Sequence, residues 1–333
     1  MNKICFGCGV KLQSHSKDNP GYVPESKLED SAYCMRCFRM IHYGESNATN
    51  TPKEAKEIVN KINKDNRFVI FLVDFLNIND EVIKIFKSIK KEKMLVVNKC
   101  ELMPKHIKRE RVREYLKTHY DIKDTIKLKG GTNTHGAKSI LAYLEDEGIT
   151  EAYIVGMSNS GKSTLINDLI NLENSSVVKT TVNNKANTTV DFIRVKINDN
   201  LTLIDSPGVI LSCSLNHDSS GKNIVAYSMN MKECETVSLL DNSYFLKFDS
   251  KTPIVFYTNQ ISKKAIKKYF KAAPNLVNAI DIKEDYVDIV IYGIGFVTVK
   301  KKCTITTNID ASFIEVRPSI FKSITCEIGG QDE

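Results

Sequence analysis

The sequence predicts an α/β domain on a mostly parallel sheet, preceded by a small metal-binding module and followed by an α+β, β-rich region. Three observations carry this. Short apolar runs ending on a polar residue alternate with helical patterns. Gly156 opens a G-x-x-x-x-G-K-[ST] segment between a strand and a helix. Four cysteines near the start fall into two C-x-x-C pairs. Strands buried on both faces read as continuous apolar runs, and their alternation with helices implies crossovers onto one sheet.

The elements follow in order. Residues 1–45 hold the cysteine pairs and little apolar periodicity, so they cannot make a core without a staple. Thr51 to Asn63 has helical spacing. Arg67 to Val73 is a buried-strand run ending at Asp74, Met94 to Val97 is a second ending at Asn98, and Ala152 to Val155 is a third ending at Gly156. A helix follows around Leu165, Ile166, Leu169 and Ile170. Val190 to Ile197 and Leu201 to Ile204 flank Asn198-Asp199-Asn200, a turn composition that predicts an antiparallel hairpin. Beyond Gly208 the pattern changes. The sequence predicts a Lys-rich amphipathic helix at Ile261 to Lys271, then a hairpin of Tyr286 to Tyr292 and Phe296 to Lys300 around Gly293-Ile294-Gly295. The expected domains are 1–45, 46–212 and 213–333.

Composition sets outer limits. A chain of 333 residues, 42% hydrophobic and 26% charged, can bury a sizeable core. Its net charge of +7 is compatible with a partner carrying phosphates and equally with none. No apolar run approaches the roughly 20 residues of a membrane span, and the start lacks a secretory apolar stretch. A reducing, cytoplasmic location and no membrane partner are expected. Nine cysteines, an odd number whose close pairs are C-x-x-C, then read as metal ligands rather than disulfides.

The phosphate site is the sharpest signal. Gly156-Met157-Ser158-Asn159-Ser160-Gly161-Lys162-Ser163 has the glycines that let backbone N–H groups point at phosphate oxygens. Lys162 supplies a point charge for the β and γ phosphates, and the following helix adds its amino-terminal dipole. Ser163 is the expected Mg²⁺ ligand, and Ser160 and Thr164 complete the nucleotide contacts. A second carboxylate on the metal side comes from D-x-x-G at Asp205-Ser206-Pro207-Gly208, with Gly208 placing its N–H against the γ-phosphate. Between them, Asn187-Thr188-Thr189 offers a hydroxyl that reaches Mg²⁺ when the γ-phosphate is present. Thr189 is preferred over Thr188.

Base identity rests on Asn98-Lys99-Cys100-Glu101, which resembles the N-K-x-D of guanine-binding GTPases with Glu for Asp. Guanine presents two donors to a carboxylate, whereas adenine N1 is an acceptor and repels it. Glu101 keeps that logic with one more methylene. Lys129-Gly130-Gly131-Thr132 occupies the place of a further backbone contact to the base. These segments precede the phosphate loop, the reverse of the usual order. The fold expected is therefore a circularly permuted P-loop GTPase, base-reading motifs first, phosphate loop next, switch motifs last.

With those motifs the chain resembles the YqeH family of circularly permuted GTPases. The likeness also rests on Cys5-Phe6-Gly7-Cys8-Gly9, Cys34-Met35-Arg36-Cys37-Phe38-Arg39 and Tyr292-Gly293-Ile294-Gly295-Phe296-Val297-Thr298-Val299. The resemblance implies GTP hydrolysis to GDP, assembly of the small (30S) ribosomal subunit, and rRNA or a preribosomal particle as partner. It also implies K⁺ bound with help from Asn159, which makes Lys162, Asn159 and Thr189 the residues acting on the transferring phosphoryl. Val209 and Ile210 stand where Ras-like enzymes place a catalytic glutamine, so no side chain there orients water. Two other functions remain open: a non-ribosomal regulatory switch, and a zinc-finger RNA-binding protein whose nucleotide is structural.

Cys5, Cys8, Cys34 and Cys37 give four thiolates in two knuckles, a closed tetrahedral Zn²⁺ set that argues for structure rather than catalysis. Arg36, Arg39, Lys11 and Lys17 nearby suit an RNA or protein surface and equally a solvated face. The same two options hold for Lys263, Lys264, Lys267, Lys268 and Lys271 on one side of the expected helix, and for Lys300-Lys301-Lys302.

Overall fold

A computed structural model describes residues 3, 5, 11–17, 19, 21–31, 33–35, 53–103, 108–130, 134–158, 160–174, 192–210, 215, 225–240, 242–258, 266–271 and 276–321. It divides into two compact units, Met1–Glu101 with Lys123–Ser212, and Leu102–Ile122 with Cys213–Glu333. The segment Leu102–Ile122 thus lies within the span expected for the nucleotide domain yet packs with the carboxy-terminal unit.

The first unit contains eight strands among its described residues: β1 (Lys53–Glu54), β2 (Phe68–Asp74), β3 (Lys93–Asn98), β4 (Thr125–Leu128), β5 (Glu151–Gly156), β6 (Ile193–Lys196), β7 (Thr202–Asp205) and β8 (Val209–Ile210). Its helices are α1 (Ala55–Asn63), α2 (Asp80–Ser88), α4 (Thr134–Asp146) and α5 (Lys162–Asn174), and α3 (Glu110–His119) belongs to the other unit. Six strands form one sheet in the order β4-β3-β2-β5-β7-β6, parallel except for β6. All seven residues of β2 are buried, which is why its sequence shows no alternation.

Along each strand side chains take turns between two covers. Ile70, Leu72, Ala152 and Ile154 share a core with Ile140 and Leu144 of α4 and with Leu165, Ile166 and Leu169 of α5. The expected hairpin is β6–β7, its turn fixed by Asn198 Oδ1 accepting from the N–H groups of Asn200 and Leu201 at 2.9 and 2.8 Å. In the amino-terminal segment Cys5, Leu12, Val23 and Cys34 form a small cluster of their own.

The carboxy-terminal unit is built from β9 (Val225–Met231), β10 (Thr236–Leu239), β11 (Tyr244–Phe248), β12 (Thr252–Thr258), β13 (Ile266–Tyr269), β14 (Asn278–Ile282), β15 (Val287–Ile291), β16 (Gly295–Val299), β17 (Cys303–Thr307) and β18 (Ile314–Pro318). They make two five-stranded sheets, ordered β13-β10-β11-β17-β14 and β18-β15-β16-β12-β9, every neighbouring pair antiparallel. Both contribute to one core, through Leu246 and Ile305 of one sheet and Phe256, Ile289 and Val297 of the other. The hairpin around Gly293-Ile294-Gly295 is β15–β16.

The Lys-rich helix is a correction. Residues 261–265 lie outside the described set, but Ile266–Tyr269 is a strand paired with β10. The spacing of Ile266 and Tyr269 fits a helix, yet β10 offers an edge, and Tyr269 gains a ring contact with Phe245 at 4.8 Å. Tertiary pairing outweighs a propensity preference of a few tenths of a kcal/mol per residue. No common lysine face survives over these residues: Lys267 is exposed and Lys268 is paired with Glu235. Phe270, expected on the apolar side, is 88% exposed.

One buried polar network ties α3 to the second sheet. Arg317, 3% exposed, receives the Tyr120 hydroxyl as a hydrogen-bond acceptor at 3.0 Å and faces Asp288 at 3.9 Å and Glu315 at 3.8 Å. The Tyr120 hydroxyl in turn donates to Glu315 at 3.1 Å, and that of Tyr115 donates to the Pro318 carbonyl at 3.0 Å. Burial pushes the Asp288 carboxyl up, against the pull of Arg317. Removing one member of such a cluster strands the remaining charges in a medium that cannot solvate them. Arg317→Met is expected to lower the unfolding free energy by about 3–5 kcal/mol, seen as a lower urea midpoint at unchanged slope.

Candidate functional site

The register of the parallel strands places Asp74 beside Asn98 and Leu72 beside Gly156. The polar residues that end these apolar runs therefore share the carboxyl edge of one sheet, where α/β folds bind ligands. From that edge the phosphate loop runs Gly156 to Lys162, where α5 begins. Gly161 has φ +95°, a conformation that side-chain-bearing residues rarely adopt. A Cβ there would also stand 2.2 Å from Asn98 Nδ2.

That contact joins two motifs far apart in sequence. Asn98, 5% exposed, donates from Nδ2 to the Ser160 carbonyl at 3.0 Å. Its neighbour Lys99 takes φ +60° and its ammonium lies 3.6 Å from Asp74 Oδ2. Asp74 is itself fixed by the N–H groups of Leu76 and Asn77 at 3.0 and 3.1 Å. Glu101 lies in a short 3-10 turn, Cys100–Leu102, and is exposed.

Within the loop, Lys162 Nζ donates to the carbonyls of Gly156 at 3.1 Å and Met157 at 3.3 Å. Burial pulls this ammonium below its ordinary range, and the Asp205 carboxylate partly restores it. Ser160 Oγ is buried with no hydrogen-bond partner among the described residues, a donor and acceptor left for a phosphate oxygen. Ser163 and Asp205 are also buried, at 6% and 8% exposure, and Thr164 is exposed on the first turn of α5. The second switch motif docks on the loop from the other side. Ser158 N–H donates to the Val209 carbonyl at 2.9 Å, and a Cβ on Gly208 would meet Ser158 Oγ at 2.6 Å. Val209 is fully buried and pairs with Lys53 of β1, so it has no means of orienting water. Asn159, Thr188 and Thr189 lie outside the described residues, as do Cys8 and Cys37.

Two residues of this site, Asp168 and Asp74, went unseen in the sequence. Lys129, in the segment expected to contact the base, is 1% exposed, and its ammonium pairs with Asp168 of α5 at 2.8 Å. The Lys129 carbonyl accepts from Cys100 N–H at 3.0 Å. One buried lysine thus links the loop after β4, the base-reading turn and the phosphate-loop helix. Asp168 sits seven residues after Gly161, where helical spacing alone gives no hint of a partner. The other is Asp74, whose role needs the register to be known.

At the amino terminus, Cys5 and Cys34, one from each C-x-x-C pair, are 0% and 1% exposed, and Cys34 N–H donates to Cys5 Sγ at 3.1 Å. A backbone donor on sulfur stabilises thiolate character, which is what a metal ligand needs.

Asp168→Asn leaves the Lys129 ammonium facing a neutral amide. Because Asp168 is 19% exposed, the expected destabilisation is about 2–3 kcal/mol, short of the cost in a fully enclosed pair. Guanine-nucleotide affinity should fall on the order of tenfold as the base-side loop loosens. Combining it with Lys129→Met removes both charges and should recover most of the stability but not the affinity. Thermal melts and titration with fluorescent GDP check the two parts.

Comparison with known proteins gives the family. Residues 46–212 match the family model described as RsgA GTPase, and residues 151–279 match the one described as 50S ribosome-binding GTPase. The chain is 28% identical over 339 residues to the uncharacterized protein YqeH of Bacillus subtilis (strain 168), covering 89% of this chain and 92% of that one. It is 26% identical over 208 residues to GTPase Der of Karelsulcia muelleri (strain GWSS), covering 60% and 47% respectively. A crystal structure of YjeQ from Thermotoga maritima aligns at 21% identity and TM-score 0.31, covering 43% of this chain and 48% of that one. Since a single family model spans half of the sequence and its phosphate loop and base-reading turn are locked edge to edge, this chain belongs to the RsgA GTPase family, GTP-hydrolysing enzymes, and is YqeH-like.

Proposed function

We propose that this enzyme is a circularly permuted GTPase that acts in assembly of the small ribosomal subunit, with rRNA or a preribosomal particle as its partner. The observation that carries the nucleotide part is the bond from Asn98 to the Ser160 carbonyl, which sets a base-reading turn against a phosphate loop encoded after it. Support for the ribosomal part comes from the YqeH-like pattern over 89% of the chain and from the match of residues 151–279 to the 50S ribosome-binding GTPase family. The choice of the small subunit follows the YqeH resemblance.

In this proposal the chain's residues position rather than react. Backbone N–H groups of the loop and Lys162 cradle the β and γ phosphates. Lys162 exchanges its two loop carbonyls for phosphate oxygens, a trade that replaces neutral acceptors by charged ones. Ser163, Asp205 and Thr189 would hold Mg²⁺, which would supply charge that neutralises the phosphates. The enclosed Ser163 hydroxyl and Asp205 carboxylate, close to the Lys162 charge, fit that ion. Hydrolysis also calls for positive charge on the transferring phosphoryl. The resemblance assigns it to K⁺ held with Asn159. Cys5 and Cys34, with Cys8 and Cys37 from the same pairs, would hold Zn²⁺ as a structural clamp.

Four measurements check this. Titration with GDP, GTP and ATP analogues should give guanine over adenine by at least about tenfold if Glu101 accepts both guanine donors, and equal affinities reject that role. Turnover should vanish in Lys162→Ala and fall several-fold when Na⁺ replaces K⁺. Sedimentation with purified subunits should place the GTP-loaded protein on 30S, and exclusive travel with 50S rejects the subunit assignment. Cys34→Ser should lower bound zinc to background by metal analysis and lower the melting temperature.

A further inference from the structure

Asp74 uses its two carboxylate oxygens differently, and its own loop needs only one of them. Oδ1 accepts the N–H groups of Leu76 and Asn77, closing the short 3-10 turn Phe75–Asn77 that follows β2. A single acceptor oxygen is enough to cap such a turn, and Asn or Ser serves there as well as Asp. Oδ2 has other partners. It accepts from Asn77 Nδ2 at 2.8 Å and stands 3.6 Å from the Lys99 ammonium. The carboxylate is enclosed and the lysine side chain only partly exposed, so this is not one of the solvated surface pairs that contribute little. The cap accounts for an oxygen at position 74 but not for a charge.

Lys99 accounts for the charge. Its backbone has φ +60°, a left-handed conformation that persists in a side-chain-bearing residue where the surroundings impose it. Each neighbour is held by a different loop: Asn98 Nδ2 donates to the Ser160 carbonyl, and Cys100 N–H donates to the Lys129 carbonyl. Lys99 turns the chain between these two anchors, and its ammonium rests on a third, the loop after β2. Three loops at one sheet edge thus hold three consecutive residues. The 3-10 turn Cys100–Leu102, which carries Glu101, starts directly from them. A carboxylate accepts two guanine donors at once only over a narrow range of directions, because both hydrogen bonds have to be near linear. The direction of Glu101 is set by the residues before it.

We propose that Asp74 is a positioning residue for guanine selection: through Lys99 it sets the turn from which Glu101 meets the base. The proposal rests on the reading of Asn98–Glu101 as the base-reading turn. Asp74 acts at the base end of the nucleotide, away from the transferring phosphoryl, where binding is the same before and during the reaction. Its loss therefore raises KM and leaves kcat unchanged.

The test is Asp74→Asn in the full chain, with GDP and inosine diphosphate titrated calorimetrically in Mg²⁺. Asn keeps the capping oxygen and presents an amide in place of Oδ2, so the cap survives while the attraction for Lys99 is lost. Inosine diphosphate lacks the guanine N2 donors, so the ratio of the two affinities reads the Glu101 contact. Asp74→Asn should weaken GDP on the order of tenfold and inosine diphosphate less, lowering the ratio, with KM for GTP raised, kcat unchanged and the melting temperature little altered. Lys99→Met, a change at a partly exposed side chain, should lower the ratio in the same way. Adding Asp74→Asn to it should cost little more, because the pair is already gone. An unchanged ratio in Asp74→Asn, equal losses for both nucleotides, or a full further loss on the Lys99→Met background overturns the proposal. An unchanged ratio with a lower melting temperature assigns Asp74 to its cap alone. A wild type that binds GDP and inosine diphosphate alike rejects the base-reading turn itself, and is told apart because its ratio is already one before Asp74 is touched.

Discussion

The site depends on one constraint: the loop after β3 and the loop after β5 must end at the same height, within hydrogen-bond reach. The bond from Asn98 to the Ser160 carbonyl is the visible sign of it. A single such bond contributes only about 1 kcal/mol net, far too little to gather two loops by itself. The gathering is done by the parallel register, which sets Asn98 beside Asp74 and Gly156 beside Leu72 in the shared strand β2. The bond then fixes the last ångström, and Gly161 allows it by having no Cβ to strike Asn98. A parallel sheet depends on which strands lie side by side, not on which was made first.

Much of that was legible before any coordinates. β2, β3 and β5 announce themselves as apolar runs because both faces are covered, and each run ends at the residue the site uses. The β6–β7 turn could be read from Asn198, whose side chain closes the turn in the way its composition suggests. What could not be read were partnerships across elements. Asp168 looks like one more solvated residue on a helix until β4 brings the buried Lys129 to within 2.8 Å. Asp74 reads as a strand end until Lys99 leans on it. The strand Ile266–Tyr269 failed for a related reason: its residues suit a helix locally, and only the open edge of β10 decides otherwise.

The division into units adds a consequence for the base-reading turn. α3 follows that turn in sequence, and its Tyr115 and Tyr120 are tied to the buried Arg317 cluster of the carboxy-terminal unit. Isolated charges this deep are costly, and replacing such clusters by apolar residues is often neutral. Their use here is better understood as specification. Three charged groups and two phenols can satisfy one another in few arrangements, which fixes where α3 docks on its own sheet. The chain leaves the first unit at Leu102 and re-enters it at Lys123.

Two different physical devices therefore serve one nucleotide. The phosphate side is held by backbone and glycine geometry, which tolerates little variation, since a Cβ at Gly161 or Gly208 would clash with a neighbouring motif. The base side is held by side-chain pairs, Lys99 with Asp74 and Lys129 with Asp168, which can be exchanged for other pairs of similar shape. Sequence patterns survive where the backbone dictates them and fade where side chains compensate one another. That is why the G-x-x-x-x-G-K-S segment is the plainest pattern in the sequence, whereas Glu101 and Lys129-Gly130 have no comparably fixed backbone setting to mark them.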